Sequence, residues 1–329
     1  MPWKHARFAL VVLLVPLLVA AAPAEAKKKR KKAIKPPSVV TATASASSSA
    51  DGELVSPAAV CPSGTVALGG GFSSEVARDE EGVTDLFVVY ESRRDSPTSW
   101  RVGAAREDAG GQGNPISISV TAYCQSPTLG AAKRVKKKKK PKKRASAAGN
   151  GKKHKKHKRR KLLISEVSST GPAAERGDLS SATASCPSGL NAISGGFSVT
   201  PPPALAGPLE FPLVWADHAA GANAWTASET TSSHTPLTLT SYAYCANTSA
   251  PLALTGSGSA DPETTGSATA PPCPADRPVI SGGFNDTAAA AGGVAELAFE
   301  STGSGGGWTT SSYNVSSQPA SLQAIAYCR

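Results

Sequence analysis

Three variants of one phrase constrain the fold of this chain more than any other feature of its sequence. They begin at Cys61, Cys186 and Cys273 and read CPSGTVALGGGF, CPSGLNAISGGF and CPADRPVISGGF. An apolar run ending on an acidic residue follows each phrase, then a tryptophan, and finally Tyr-Cys at Cys124, Cys245 or Cys328. Landmarks that recur in the same order are typical of repeated structural units. The sequence therefore predicts three copies of one fold.

The segments of each copy have the two-residue period of β-strands. In ISISVTAYC one set of alternate residues is apolar and includes Cys124, whereas the other set is polar and ends on Tyr123. LTLTSYAYC follows a similar pattern, and clusters of Gly, Pro, Ser and Asn separate the runs. This alternation indicates half-buried strands. We predict an all-β chain: three tandem small antiparallel β-sandwich or partly open barrel domains with disordered polybasic linkers.

Six cysteines accompany an N-terminus that is typical of an exported protein. Lys4 and Arg7 precede the apolar run Phe8–Val19, and Ala24-Glu25-Ala26 is a typical cleavage site. The alternative, a membrane anchor, fits less well because the run is short. Each copy has one cysteine near its start and one at its end, so we predict the disulfides Cys61–Cys124, Cys186–Cys245 and Cys273–Cys328. Each bridge would stabilise its copy by roughly 4 kcal/mol.

The Gly-Gly before each phenylalanine has two interpretations. Glycine permits close approach of another strand, or it forms part of a phosphate-binding loop. The second interpretation requires a helix after the loop, and no helical pattern follows here. We therefore expect a packing role for the glycines, and we expect Phe72, Phe197 and Phe284 in the core.

The landmarks and the charge pattern divide the chain into six parts. These are a signal peptide (1–26), a basic disordered segment (27–37), repeat 1 (38–126), a polybasic disordered linker (127–161), repeat 2 (162–248) and repeat 3 (249–329).

Positive charge is concentrated in two tracts. Residues 27–35 and 133–161 hold 7 and 18 Lys or Arg, whereas the rest of the chain after residue 26 has eight Arg and 23 acidic residues. Such tracts attract anionic polymers, although a solvated spacer and attraction to the chain's own acidic repeats are alternatives. The predicted polyanion-binding residues are Lys136, Lys137, Lys138, Lys139, Lys140, Lys142, Lys143, Arg144, Lys155, Lys156, Arg159 and Arg160. Without interleaved aromatic residues, sequence-specific nucleic-acid binding is not expected.

No arrangement of residues indicates an enzyme, a cofactor or a metal site. His218 and His234 lack the spacing of metal ligands, and every cysteine is used by the predicted bridges. An acid and a tryptophan recur in each copy, at Glu91/Trp100, Asp217/Trp225 and Glu300/Trp308. A glycan-binding platform is one interpretation of these pairs, and a core position for each tryptophan is the favoured one.

The recurring Cys-Pro, Gly-Gly-Phe, Trp and Tyr-Cys landmarks resemble repeats of secreted, uncharacterised proteins of high-GC Gram-positive bacteria. The resemblance covers all three copies and implies an exported protein, but it implies no activity. We therefore expect a secreted, non-enzymatic protein that is non-covalently associated with the cell envelope. Its basic tracts would bind an anionic cell-wall polymer or acidic polysaccharide, and a lectin-like repeat protein is the alternative. No membrane span is expected after the signal peptide.

Overall fold

The computed structural model describes residues 38–78, 83–108, 115–127, 161–201, 211–286 and 296–329. The described residues contain twenty β-strands and no helix, hence no helix that could cross a bilayer. The signal peptide, the first basic segment and nearly all of the polybasic linker lie outside these residues.

The twenty strands divide among the three repeats as follows. Repeat 1 contains β1 (Val39–Ser48), β2 (Leu54–Val55), β3 (Ala58–Val60), β4 (Val66–Ser74), β5 (Ala77–Arg78), β6 (Val83–Ser96), β7 (Ser99–Asp108) and β8 (Ile116–Gln125). Repeat 2 contains β9 (Ile164–Ala174), β10 (Leu179–Ser185), β11 (Asn191–Thr200), β12 (Pro212–Ala219), β13 (Ala224–Thr231) and β14 (Leu237–Ala246). Repeat 3 contains β15 (Leu252–Ala260), β16 (Thr265–Ala270), β17 (Val279–Asp286), β18 (Glu296–Ser304), β19 (Gly307–Asn314) and β20 (Ala320–Cys328).

Each repeat is a small sandwich of two antiparallel layers. In repeat 2 one layer is β9-β14-β11 and the other is β10-β13-β12, and the same arrangement recurs in repeats 1 and 3. The Gly-Gly-Phe strand of each repeat lies at the end of its first layer. The predicted disulfides are present, at Cys61–Cys124, Cys186–Cys245 and Cys273–Cys328. The predicted fold class, three small antiparallel β units with one disulfide each, is confirmed.

The layers of one repeat continue into the other two repeats. We name the shared sheets by the repeats they join: the 1–2 sheet (β2-β7-β6-β11-β14-β9), the 2–3 sheet (β10-β13-β12-β17-β20-β15) and the 3–1 sheet (β1-β8-β4-β18-β19-β16). In each sheet a Gly-Gly-Phe strand pairs with the strand before the tryptophan of another repeat. We call these central pairs the 1–2 joint (β6–β11), the 2–3 joint (β12–β17) and the 3–1 joint (β18–β4). The repeats are therefore joined in a closed cycle.

The phenylalanines of the recurring phrase meet where the three repeats converge. The ring of Phe284 packs edge-on against Phe72 and Phe197, with centroid distances of 6.5 Å and 6.4 Å. A β-bulge occurs at the same place in each Gly-Gly-Phe strand and leaves one buried aliphatic residue unpaired, at Leu68, Ile193 and Ile280. The expectation that these phenylalanines occupy the core is confirmed.

The alternation of the closing strands is also observed, with one instructive exception. Strand β8 alternates between buried and half-buried residues as far as Ala122, and Cys124 is buried as predicted. Tyr123, which the pattern places on the polar face, is also buried, with 4% of its surface exposed. The covering residues come from another repeat, and a two-residue period within one strand carries no information about them.

Candidate functional site

Two glycines at each joint make close contacts with different neighbours. A Cβ added to Gly70 would overlap the indole of Trp100 in its own repeat. A Cβ added to Gly196 would overlap the backbone carbonyl oxygen of Ser92 in another repeat. The same contacts recur at Gly195 with Trp225, Gly282 with Trp308, Gly71 with Ser301 and Gly283 with Asp217. Only glycine allows these approaches. The first glycine of each pair makes room for the tryptophan, and the second allows the strand of another repeat to approach. The predicted packing role of the glycines is therefore confirmed.

The tyrosine of each Tyr-Cys phrase also crosses a joint. The Tyr244 ring packs against Trp100 of repeat 1 at 5.6 Å, and its hydroxyl accepts a 2.7 Å hydrogen bond from the Arg94 backbone N–H. The hydroxyls of Tyr327 and Tyr123 accept equivalent 2.7 Å bonds from the backbone N–H groups of Ala219 and Gly303. Their rings pack on Trp225 at 5.1 Å and Trp308 at 5.4 Å. The sequence analysis did not predict that these tyrosines connect the repeats. The recurrence of tyrosine before the second cysteine of each repeat was the pattern that could have indicated it.

The three aligned tryptophans are core residues. Trp100 and Trp225 are 1% exposed and Trp308 is 0% exposed. Each indole N–H is used within its own repeat, donating to Ser92 at 3.2 Å, Asp217 at 2.6 Å and Ser301 at 2.9 Å. A glycan platform requires an exposed ring face. A glycan site on these tryptophans is therefore wrong, because each ring is covered by a glycine of its own repeat and a tyrosine of another repeat.

The acids that precede the tryptophans do not occupy one recurring position. Glu91 and Glu300 lie opposite Ser198 and Ser73 across their joints, whereas Asp217 lies opposite Phe284. The position of Asp217 is occupied by Ser92 in repeat 1 and by Ser301 in repeat 3. Glu91 forms an ion pair with Arg93 at 2.6 Å, and Glu300 accepts a 2.6 Å hydrogen bond from the Ser311 hydroxyl. The three acids therefore do not form a repeated acid–tryptophan site.

Asp217 is a buried acid, with 7% of its surface exposed. Burial raises its pKa to about 7, and the hydrogen bond from Trp225 opposes that shift. Burial also raises the pKa of Glu229 and of Glu296 to about 8. The described ranges contain no group of three His, Cys, Asp or Glu residues placed to hold a metal ion. His234 contacts Arg176 at 3.0 Å and His218 contacts the Ala219 carbonyl at 3.1 Å.

The 1–2 joint has charged groups around its tyrosine. The guanidinium of Arg94 lies 5.9 Å from the Tyr244 ring centroid and donates to the carbonyl oxygens of Ser96 at 3.1 Å and Pro97 at 2.7 Å. Glu166 is the cross-strand partner of Tyr244. Burial lowers the pKa of Arg94, and Tyr244 and Glu166 act in the opposite direction. The guanidinium of Arg94 therefore covers this joint.

The 2–3 joint has a groove in the corresponding place. Its lining includes Tyr327, Ala219, Ala253, Ile325 and Thr255, and its volume is about 430 Å³. Ala219 corresponds to Arg94, because each donates its backbone N–H to the joint tyrosine. Ala253 corresponds to Glu166, because each is the cross-strand partner of that tyrosine. Among the described residues, no charged side chain lines the groove.

The basic tracts lie outside the described residues, but the positions where they join the fold are described. The Leu162 backbone N–H donates to the Pro127 carbonyl oxygen at 2.7 Å, and Leu162 is only 4% exposed. The ends of the polybasic linker are therefore adjacent. The N-terminal tract leads into β1, whose first residue, Val39, pairs with Gln125. All twelve predicted polyanion-binding residues are outside the described part of the chain.

Comparison with known proteins adds no assignment. No protein family model matches the chain, and no curated protein sequence matches it significantly. Proposals about function therefore rest on the chain's own residues.

Proposed function

We propose that the protein is secreted and non-enzymatic, and that its basic tracts attach it to an anionic polymer of the cell envelope. The observation that carries the proposal is the hydrogen bond between Leu162 and Pro127. A spacer between independent modules would have separated ends, whereas the described residues at the two ends of the polybasic linker, Pro127 and Leu162, are in contact within one compact unit. The tract is therefore an insertion that the β fold carries.

The charge distribution supports attachment through the tracts. The tracts hold 25 Lys or Arg, and the rest of the chain after residue 26 is acidic overall. A polyanion would be attracted to the tracts and repelled by the acidic β repeats, so contact would be made through the tracts. Attachment of this kind is electrostatic and weakens steeply with salt. Three disulfides fit an oxidising compartment outside the cytoplasm.

Retention on an acidic polysaccharide column tests the proposal. The full chain should bind at low ionic strength and elute at high salt. A variant in which the twelve predicted polyanion-binding residues become Gln should bind the column at least tenfold more weakly at low ionic strength. It should therefore elute at a lower salt concentration. The matched control replaces the lysines of that set by Arg, which keeps the charge and should keep retention. Equal retention of the Gln variant would refute attachment through the tract.

The same variants separate attachment from attraction to the chain's own acidic repeats. If the tract bound the β repeats, the Gln variant would change the stability of the fold and leave retention on the polymer unchanged. Washing producing cells at low and high salt tests localisation directly. Release of the wild-type chain at high salt, with the Gln variant already in the medium at low salt, is the expected result.

A further inference from the structure

The groove at the 2–3 joint is a second feature that the proposed function does not use. It lies beside Tyr327, at the position that Arg94 fills beside Tyr244 in the 1–2 joint. We propose that this groove binds a small, uncharged, largely apolar molecule. The proposal is independent of the basic tracts, because it rests only on described residues of repeats 2 and 3.

The comparison of the two joints identifies the class of ligand. Both charged residues beside the tyrosine differ together: alanine stands at 219 where the 1–2 joint has Arg94, and alanine stands at 253 where it has Glu166. Burying a charge without a partner is costly. A charged ligand would find no partner among the side chains that line the groove. An uncharged ligand meets no such cost.

The size and lining of the groove also fit such a ligand. A volume of about 430 Å³ is within the range of small-molecule sites. Ile325 and the five lining alanines provide apolar surface, and the Thr255 hydroxyl can donate or accept one hydrogen bond. The Tyr327 hydroxyl is already used by the Ala219 backbone N–H at 2.7 Å. The groove is therefore expected to accept an apolar molecule with few polar groups.

The 3–1 joint differs from both. There the two positions hold Gly303, which donates its backbone N–H to Tyr123, and Thr41, the cross-strand partner of that tyrosine. A hydroxyl-bearing side chain thus replaces the methyl group of Ala253. Of the three joints, the 2–3 joint alone places an alanine at both positions.

Titration of the full chain with Nile red, an uncharged apolar dye, tests the proposal. We expect saturable binding of one dye per chain, with increased and blue-shifted emission. Ala219→Arg places at the groove the side chain that fills the 1–2 joint, and it should weaken binding at least tenfold. Ala253→Glu changes an exposed strand residue and should also weaken binding, so the test does not depend on one variant folding. The control Val60→Ser removes an apolar side chain, 65% exposed, that does not line the groove, and it should leave binding unchanged.

Several results would overturn the proposal. One is non-saturable dye binding, and another is saturable binding that neither groove variant weakens while both retain native near-ultraviolet circular dichroism. Concentration-dependent dimerisation of the wild type that Ala253→Glu abolishes would show that a second copy of the chain occupies the groove instead. Shifts of the Ala219 and Ala253 methyl resonances on dye addition, with the Ala46 methyl unshifted, would locate the dye in the groove and support the proposal.

Discussion

At the 1–2 joint the tyrosine that crosses between repeats has an arginine and a glutamate as neighbours, whereas at the 2–3 joint the same tyrosine has two alanines. The backbone of the two joints is the same: both tyrosine hydroxyls accept a 2.7 Å hydrogen bond, and both joints have the same register across the central pair. The difference shows that glycines, tyrosines and strand pairing determine how the repeats join. Side chains around the tyrosine are free to vary, and they decide whether a joint is covered or open.

The largest effect should come from the glycines that both joints share. Gly196→Ala and Gly283→Ala each place a methyl group against a backbone carbonyl oxygen of another repeat. We expect each to lower the free energy of unfolding by about 3 kcal/mol, since backbone cannot move aside as a flexible side chain can. Urea denaturation followed by tryptophan fluorescence measures this. Ser257→Ala, on an exposed strand position, is the control.

A marked difference between the two glycine variants would contradict the view that the joints share one backbone design. A loss below about 1 kcal/mol in both would show that the joints tolerate an added methyl group. In either case the side chains around the tyrosine would have to contribute more to joining the repeats than the comparison implies.

The next effect is a pH dependence of the unfolding free energy that Asp217 introduces at the 2–3 joint. Burial raises the pKa of Asp217 from 3.8 to about 7, so the folded state binds a proton that the unfolded state releases in this range. Its contribution to stability is therefore greatest at low pH and is lost as pH rises towards 7. Asp217→Asn should remove about 2 kcal/mol of the change in unfolding free energy between pH 5 and pH 8.

Urea denaturation across this pH range provides the measurement for Asp217. The corresponding residue of the 1–2 joint is Ser92, so Ser92→Ala should shift stability equally at every pH. Glu229 and Glu296 act in the same direction as Asp217 and should keep part of the pH dependence in both variants. An unchanged pH dependence in Asp217→Asn would contradict the assignment.

Removing the tyrosine hydroxyl should distinguish the covered joint from the open one. Tyr244→Phe leaves the Arg94 N–H without its acceptor under a buried guanidinium, and we expect a loss of about 2 kcal/mol. In Tyr327→Phe the groove can admit water to the Ala219 N–H, so we expect a loss of less than about 1 kcal/mol. Thermal and urea denaturation of both variants measure the difference. Equal losses would show that solvent does not reach the 2–3 joint.

The smallest effect should come from opening the covered joint. Arg94→Ala removes two hydrogen bonds to carbonyl oxygens and one contact with Tyr244. Because the joint keeps its glycines and tyrosine, we expect a loss of only about 1 kcal/mol. Arg94→Lys, which keeps the charge without the planar fork, should recover part of this loss. A loss above about 3 kcal/mol would show that the arginine, not the backbone, holds the joint.

Much of the fold could be predicted because its signals are local or repeated. Alternation in ISISVTAYC predicted β8, and the repeat of one opening and one closing cysteine predicted the three disulfides. A core position was the favoured prediction for the three tryptophans, and their burial confirms it. The burial of Tyr123 could not be read in the same way, because its ring packs against Trp308 of another repeat and similar repeats give no indication of which strand pairs with which.

The candidate sites show the same division between local and non-local information. The composition of the basic tracts was evident from the sequence, but the contact between Pro127 and Leu162 joins the end of β8 in the 3–1 sheet to the start of β9 in the 1–2 sheet, which the sequence does not indicate. The groove lies where Ala219 stands in place of the arginine that the 1–2 joint has at Arg94. That correspondence becomes visible only once the joint register aligns the repeats.

The cyclic pairing also has a consequence for the order in which the chain can fold. Phe72 pairs with Ser301, so the Gly-Gly-Phe strand of the first repeat receives its final neighbour from near the end of the chain. A chain that emerges from its N-terminus must hold that strand edge unpaired until the third repeat has followed. Long-range pairing slows folding, and unpaired edges promote aggregation. Maturation therefore depends on the last repeat, and a truncated chain would expose an edge that the complete chain hides.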